Sequence, residues 1–204
     1  MTSWKDNNLL GSRRLVEEVL DLTSESERIV ARDKRHLREL IKERIAKFGP
    51  NCNLNDIDVS NVTDMSELFS DSSFNGSISQ WDVSNVRDMH DMFYKSKFNG
   101  DISNWDVSKV KNMENMFSFS KFNKDISRWN VSSVRDMGRM FLGSNFDKDI
   151  SGWNVSNVRY MGYMFYKSKF RGDISKWNVL SVEDMSHMLA GSPLKGKEPD
   201  WYKE

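Results

Sequence analysis

Four basic residues, Arg87, Lys111, Arg135 and Arg159, stand 24 residues apart from one another. A row of cations at fixed spacing is chemistry for holding an anionic surface, not for making or breaking bonds. Tyr94, Arg139, Tyr160, Tyr163 and Tyr166 fall within the same segments, and exposed Tyr and Arg are the side chains that most often anchor interfaces. Together these residues form the candidate partner-binding set. Catalysis would need a nucleophile, an acid–base pair or a metal cluster in one place. His36, His90 and His187 are scattered with no Asp, Glu or Cys partner at ligand spacing, and Cys52 has no base beside it. Asp101, Asp125, Asp149 and Asp173 recur once per repeat, which marks a structural turn. The expectation is a chain with no catalytic residue, no metal and no cofactor.

Other columns of repeated residues allow further chemistry. All Met except Met1 recur in phase. A sulfur ligand set is conceivable, but Met also fills gaps between aromatic rings, which is the expected role. Asp82, Asp106, Asn130, Asn154 and Asn178 form a polar row followed two residues later by Ser or Leu180. A calcium or ligand ladder is one reading; hydrogen bonding between stacked repeats is the expected one. The basic row interleaved with Tyr94, Phe119 and Tyr166 would suit a nucleic-acid backbone. Balanced charge, 30 basic against 30 acidic residues, speaks against nucleic acid and for a protein partner.

The elements that must position these residues follow from the repeat itself. Trp81, Trp105, Trp129, Trp153, Trp177 and Trp201 are 24 residues apart. Counting each Trp as zero, Val stands at positions 2 and 5, Met at 8, Met-Phe at 11 and 12, and Phe at 17, with substitutions in the first and last units. Self-similarity at this period implies a solenoid. The predicted fold is an α/β repeat solenoid, a leucine-rich-repeat-like stack of units. In each, Ile-x-x-Trp-x-Val is a short strand, and Val86, Met89, Met92 and Phe93, after a Ser84 cap, form a short helix. One unit cannot bury its own apolar side chains, so neighbours must stack.

Residues 1–50 form a helical N-terminal segment and cap, 51–200 six repeats, and 201–204 the end. Arg13–Leu22 reads as one helix. A second, capped by Ser24 or Ser26, carries Val30, Leu37, Leu40, Ile41, Ile45 and Phe48 on one face and stops at Gly49-Pro50. Its polar side is basic, with Arg28, Arg32, Lys34, Arg35, Arg38, Lys42, Arg44 and Lys47. It is read as the cover for the open end of the stack. A monomer without a membrane span or signal peptide is expected, located in the cytoplasm.

The units WDVSNVRDMHDMFYKSKFNGDIS and WDVSKVKNMENMFSFSKFNKDIS, with the lead-in LRELIKERIAKFGPNCNLNDIDVSNVTDMSELF, resemble the BspA-like leucine-rich repeat surface proteins of bacteria and some protists. The resemblance covers about residues 37–200. It implies a leucine-rich-repeat-like array and protein–protein or adhesive contact, and no shared active site. Val86 stands where the standard leucine-rich repeat has its ladder Asn. Without the export signal of such surface proteins, the function expected is an intracellular binder, adaptor or inhibitor of bacterial or phage origin, with surface adhesion as the alternative.

Overall fold

The computed structural model describes residues 28–203. Its regular elements are β1 (Ile29–Val30), α1 (Lys34–Phe48) and β2 (Ile57–Asp58). The first is paired in parallel with the last, Ile29 against Ile57. The predicted helix at Arg13–Leu22 and the caps at Ser24 and Ser26 lie outside the described residues.

Asp33, not Ser24 or Ser26, caps α1: its carboxylate accepts the His36 N–H at 2.8 Å. Gly49, at φ 82°, ends it and donates its N–H to the Ile45 carbonyl at 2.8 Å. Leu37 and Ile41 are buried against the repeats, with Leu40 and Ile45 beside them. Val30 and Phe48, assigned to the same face, are exposed; Val30 lies in β1, where strand pairing sets its direction. Two residues of the basic side point at the array. Lys34 binds the Asp64 carboxylate at 3.2 Å and the Ser66 hydroxyl, and Arg44 binds Asp56.

From Asn53 onward the units lie side by side in parallel register, with bridges running Asp64–Asp88–Asn112–Asp136–Tyr160–Asp184. The first unit keeps two strand residues as β2, but from Trp81 onward the expected strand, and in every unit the expected helix, is replaced. Trp81 N–H bonds back to the Ile78 carbonyl at 3.2 Å and Val86 N–H to the Val83 carbonyl at 2.9 Å, so the Ile-x-x-Trp-x-Val segment is a pair of tight turns. The stretch read as a helix is a run of consecutive turns. Within the first unit Leu68, Ser70 and Ser72 donate to Met65, Glu67 and Phe69 three residues back. The alternate residues Met65, Glu67, Phe69 and Asp71 donate to Asp88, His90, Met92 and Tyr94 of the next unit at 2.8–2.9 Å. The Ser66 N–H donates to the Asp64 carboxylate at 2.8 Å, so every backbone donor from Met65 to Ser72 finds an acceptor, alternately in its own unit and in the neighbour.

Packing explains why turns replace helices. Phe69, Phe93, Phe117, Phe141 and Phe165 stack nearly parallel with ring centroids 5.6–5.8 Å apart. Helices pack with axes about 8–10 Å apart. A helix in each unit would hold these columns too far apart for ring to touch ring. A second column, Phe74 to Phe170, lies 4.2–4.6 Å from the first within each unit. Met65, Met89, Met113, Met137 and Met161 are fully buried among these rings, filling gaps.

Each Trp joins two units. The Trp105 indole N–H donates to the Ile78 carbonyl of the preceding unit at 3.2 Å, and the same bond recurs from Trp81 to Trp201. The polar row beside the Trp bonds within its own unit and not between units: Asp82 and Asp106 accept the N–H of Ser84 and Ser108 at 3.0 Å. Ser84 is therefore the closing residue of an Asx-turn and caps no helix.

Candidate functional site

The turn ladder carries the predicted binding residues on its outer side. Positions 10 and 14 of every unit are held in the left-handed region. Glu67, Asp91, Asn115, Arg139, Tyr163 and His187 occupy the first column at φ 52–59°. Asp71, Lys95, Phe119, Gly143, Lys167 and Gly191 occupy the second. Side chains other than Gly rarely adopt this conformation. Here both flanking peptides are fixed, one by the turn and one by the next unit, which offsets the local cost. The result is side chains displayed in rows from a rigid backbone.

The basic row is built on the same ladder. Lys111 donates its N–H to Arg87, Arg135 to Lys111 and Arg159 to Arg135, at 2.8–2.9 Å. The four cations are therefore exposed and stacked one above another. The acidic residues next in sequence do not neutralise them. Asp88 is bound to His90, and Asp136 accepts the Gly138 N–H. Burial, together with nearby Glu114, raises the Asp136 carboxyl above its usual value. Among the described residues only Arg159 of the row has an ion pair, with Glu183 at 3.5 Å. Lys111, Arg135 and Arg159 line a groove of about 500 Å³ with Ser132, Asn157 and Glu183.

Arg139 is the meeting point of the aromatic residues. Its guanidinium holds Glu114 at 2.9 Å and lies over the Tyr163 ring at 5.6 Å. Tyr163 meets Tyr166 edge to face at 5.5 Å and His187 at 5.0 Å. Tyr160, exposed, shares with Arg139 and Tyr163 a groove of about 200 Å³. Tyr160 replaces the Asp or Asn whose side chain closes a turn in the other units. A second groove of about 470 Å³ joins Arg139 to Tyr94, Phe119 and Leu142. Of the predicted site residues, Arg87 and Tyr166 line none of these three grooves.

Phe119, offered by the sequence only to the nucleic-acid reading, and Glu114 stand outside the partner-binding set. Phe119 stands at φ 54° with half its surface exposed, and its edge meets Tyr94 at 6.3 Å. The following unit leaves room for it: a Cβ on Gly143 would lie 2.6 Å from the Phe119 ring. The signal in sequence is a lone aromatic in a column of Asp, Lys and Gly. At the acidic end, burial and then the charge of Glu67 raise the Asp91 carboxyl. Burial opposes protonation of His90, but the hydrogen bond and charge of Asp88 outweigh it and raise its pKa.

The other reactive residues stay apart. His36, in α1, accepts a hydrogen bond from Arg32 just ahead of the helix, His90 lies in the second unit and His187 in the last. Cys52 is buried, and burial raises its thiol. Among the described residues no group of three or more His, Cys, Asp and Glu could hold a metal ion. No helix among them is long and apolar enough to cross a membrane.

Parallel units joined by a backbone ladder define a repeat protein. The chain belongs to the family described as "Mycoplasma protein of unknown function, DUF285", whose model matches residues 37–142 and again 98–201. Comparison with curated proteins and with solved structures gives no match.

Proposed function

We propose that this chain is a non-catalytic protein-binding module, a solenoid-like array that holds its partner on the ladder face. The observation that carries the reading is the Arg139 cluster. Large side chains from adjacent units are fixed by Glu114, by ring contact and by left-handed backbone. Rigid Tyr and Arg anchors lose little freedom on binding, which is what interface hot spots require. An intracellular binder, adaptor or inhibitor is the form favoured here. The resemblance to BspA-like surface proteins supports adhesive contact as the alternative setting for the same face. A nucleic-acid partner is a second reading, supported by Arg87, Lys111 and Arg135 standing in register without an acidic counterpart among the described residues.

Capture from nuclease-treated host lysate, and separately from intact host cell surfaces, compares the parent chain with two double variants. Arg135→Glu/Arg159→Glu reverses the basic row, and Tyr163→Ala/Tyr166→Ala strips the cluster. One protein retained by the parent and lost by either variant is the expected result. Equal retention by all three, with their circular dichroism unchanged, would reject the ladder face as the binding surface. Retention that disappears with nuclease would transfer the basic row to nucleic acid.

A further inference from the structure

A different surface, at positions 16 to 18 of the units, holds side chains that bridge from unit to unit. The Asn75 side-chain carbonyl accepts the Asn99 N–H at 2.8 Å and that of Asn99 accepts the Asn123 N–H at 2.9 Å. Asn123 does the same for Asp147 at 3.0 Å, and Asp147 for Arg171 at 2.9 Å. This fixes which way each amide faces. The oxygen is used inside the ladder, so the NH2 group is the end left over. Among the described residues the NH2 groups of Asn75, Asn99 and Asn123 have no hydrogen-bond partner.

Two residues earlier in the units stand Lys97, Lys121 and Lys169. Their N–H groups donate to Ser72, Ser96 and Ser144 of the preceding units at 3.1 Å, which sets the stems in register. None of the three has an ion pair among the described residues. Lys121 and Lys169 line a groove of about 920 Å³ with Asn99, Asn123, Asn145 and Arg171, among others, and Lys97 continues their column one unit before Lys121. Asp147, the acid in that lining, is already bound by Arg171 through Nε at 2.9 Å and through Nη2. The neighbouring acids Asp101, Asp125 and Asp173 have Lys124, Lys148 and Lys176 beside them. The groove is therefore cationic and presents mainly donors.

We propose that this groove binds an acidic polysaccharide, a chain of carboxylated or sulfated sugars laid across the units. Carboxylate, sulfate, ring and hydroxyl oxygens all accept the bonds that Asn NH2 and Lys ammonium groups offer. A peptide strand would bring as many N–H donors as carbonyls and leave them unpaired here. Nucleic acid would find no aromatic side chain in the lining on which to stack its bases. The proposal is independent of the ladder face and goes beyond the protein-binding reading.

Isothermal titration at low salt with a heparin octasaccharide and a hyaluronan octasaccharide tests it on the full chain. The controls are neutral dextran, a single-stranded DNA and polyglutamate. One triple variant, Lys97→Gln/Lys121→Gln/Lys169→Gln, discharges the lysine column that supplies the groove with Lys121 and Lys169. The other, Lys124→Gln/Lys148→Gln/Lys176→Gln, removes the same charge from positions 19 and 23, outside the groove lining. All six lysines are solvent-exposed or lie in exposed columns, and circular dichroism checks that both variants fold. At least one acidic octasaccharide should bind and dextran should not. The groove variant should weaken that binding by at least about tenfold and the other by no more than about twofold. No binding of either octasaccharide overturns the proposal. So does equal loss in both variants, or DNA or polyglutamate bound as tightly through the same three lysines.

Discussion

The sharpest prediction concerns Asn115, because two local structures there demand opposite outcomes. Asn115 stands at φ 55°, its N–H donates to the Gly138 carbonyl at 2.9 Å and its carbonyl accepts the Ser118 N–H at 2.9 Å. Its side chain makes no hydrogen bond among the described residues, so Asn115→Ala and Asn115→Gly differ chiefly in backbone preference. A Cβ in the left-handed region costs roughly 1–2 kcal/mol, while Gly loses about 0.5–1 kcal/mol more chain freedom on folding. Asn115→Gly should therefore be more stable than Asn115→Ala by about 0.5–1 kcal/mol. If the Val110–Phe117 stretch were the helix that its spacing suggests, Ala would win by about 1 kcal/mol. The two structures thus disagree by about 1.5–2 kcal/mol and in sign. Urea denaturation followed by circular dichroism resolves that difference, and each kcal/mol moves Tm by about 2–4 °C in a chain of this size. Asn115→Ala more stable than Asn115→Gly would refute the turn ladder at this position.

Three further outcomes follow from the packing. Trp129→Phe removes the indole bond to the Ile102 carbonyl at 3.1 Å. That carbonyl keeps the Trp105 N–H at 3.2 Å, so the loss in chemical denaturation should be about 2–3 kcal/mol, mostly from the vacated volume. Phe117→Ala opens both ring columns at once, since Phe117 touches Phe93, Phe122, Trp129 and Phe141. It should cost about 3–5 kcal/mol by the same measurement, and a loss below about 1 kcal/mol would contradict close packing there. The third outcome concerns pH. The N–H and then the hydroxyl of the Ser two residues on lower the carboxyls of Asp101, Asp125, Asp149 and Asp173. A lowered native pKa gives stability that is present above the unfolded value of 3.8 and is lost as pH falls through the native value. Changing all four to Asn keeps an acceptor for each turn, as Asn130 and Asn154 show. That variant should melt slightly below the parent at neutral pH, where the charged carboxylates contribute, and lose less stability in acid; an unchanged acid limb would exclude these carboxylates as its cause.

The repeat was legible because every unit meets the same neighbour on either side. Val83, Met89, Met92, Phe93 and Phe98 are all buried, as their recurrence in phase implies. The candidate site was legible in part. Arg139, Tyr160, Tyr163 and Tyr166 do converge, because equal positions in successive units are brought next to each other. Phe119 was harder to place, since an aromatic in a variable column reads as an exception until Gly143 is seen to leave room for its ring. Spacings of three and four mislead in Val86–Phe93 because a run of tight turns returns side chains to one side about as often as a helix does. What separates them is the sign of φ at Asp91 and Lys95, and neither residue type announces it.

The sequence alone determined the period, the residues that face inward, the stop of α1 at Gly49 and which columns vary from unit to unit. These are properties of side-chain type and spacing, which hydrophobic burial reads directly. Only the tertiary structure decided that the backbone bonds run between units instead of within helices. The reason is the ring spacing of 5.6–5.8 Å along the Phe columns. It brings successive backbones close enough to pair, and a backbone donor given to the next unit is no longer available for a helix.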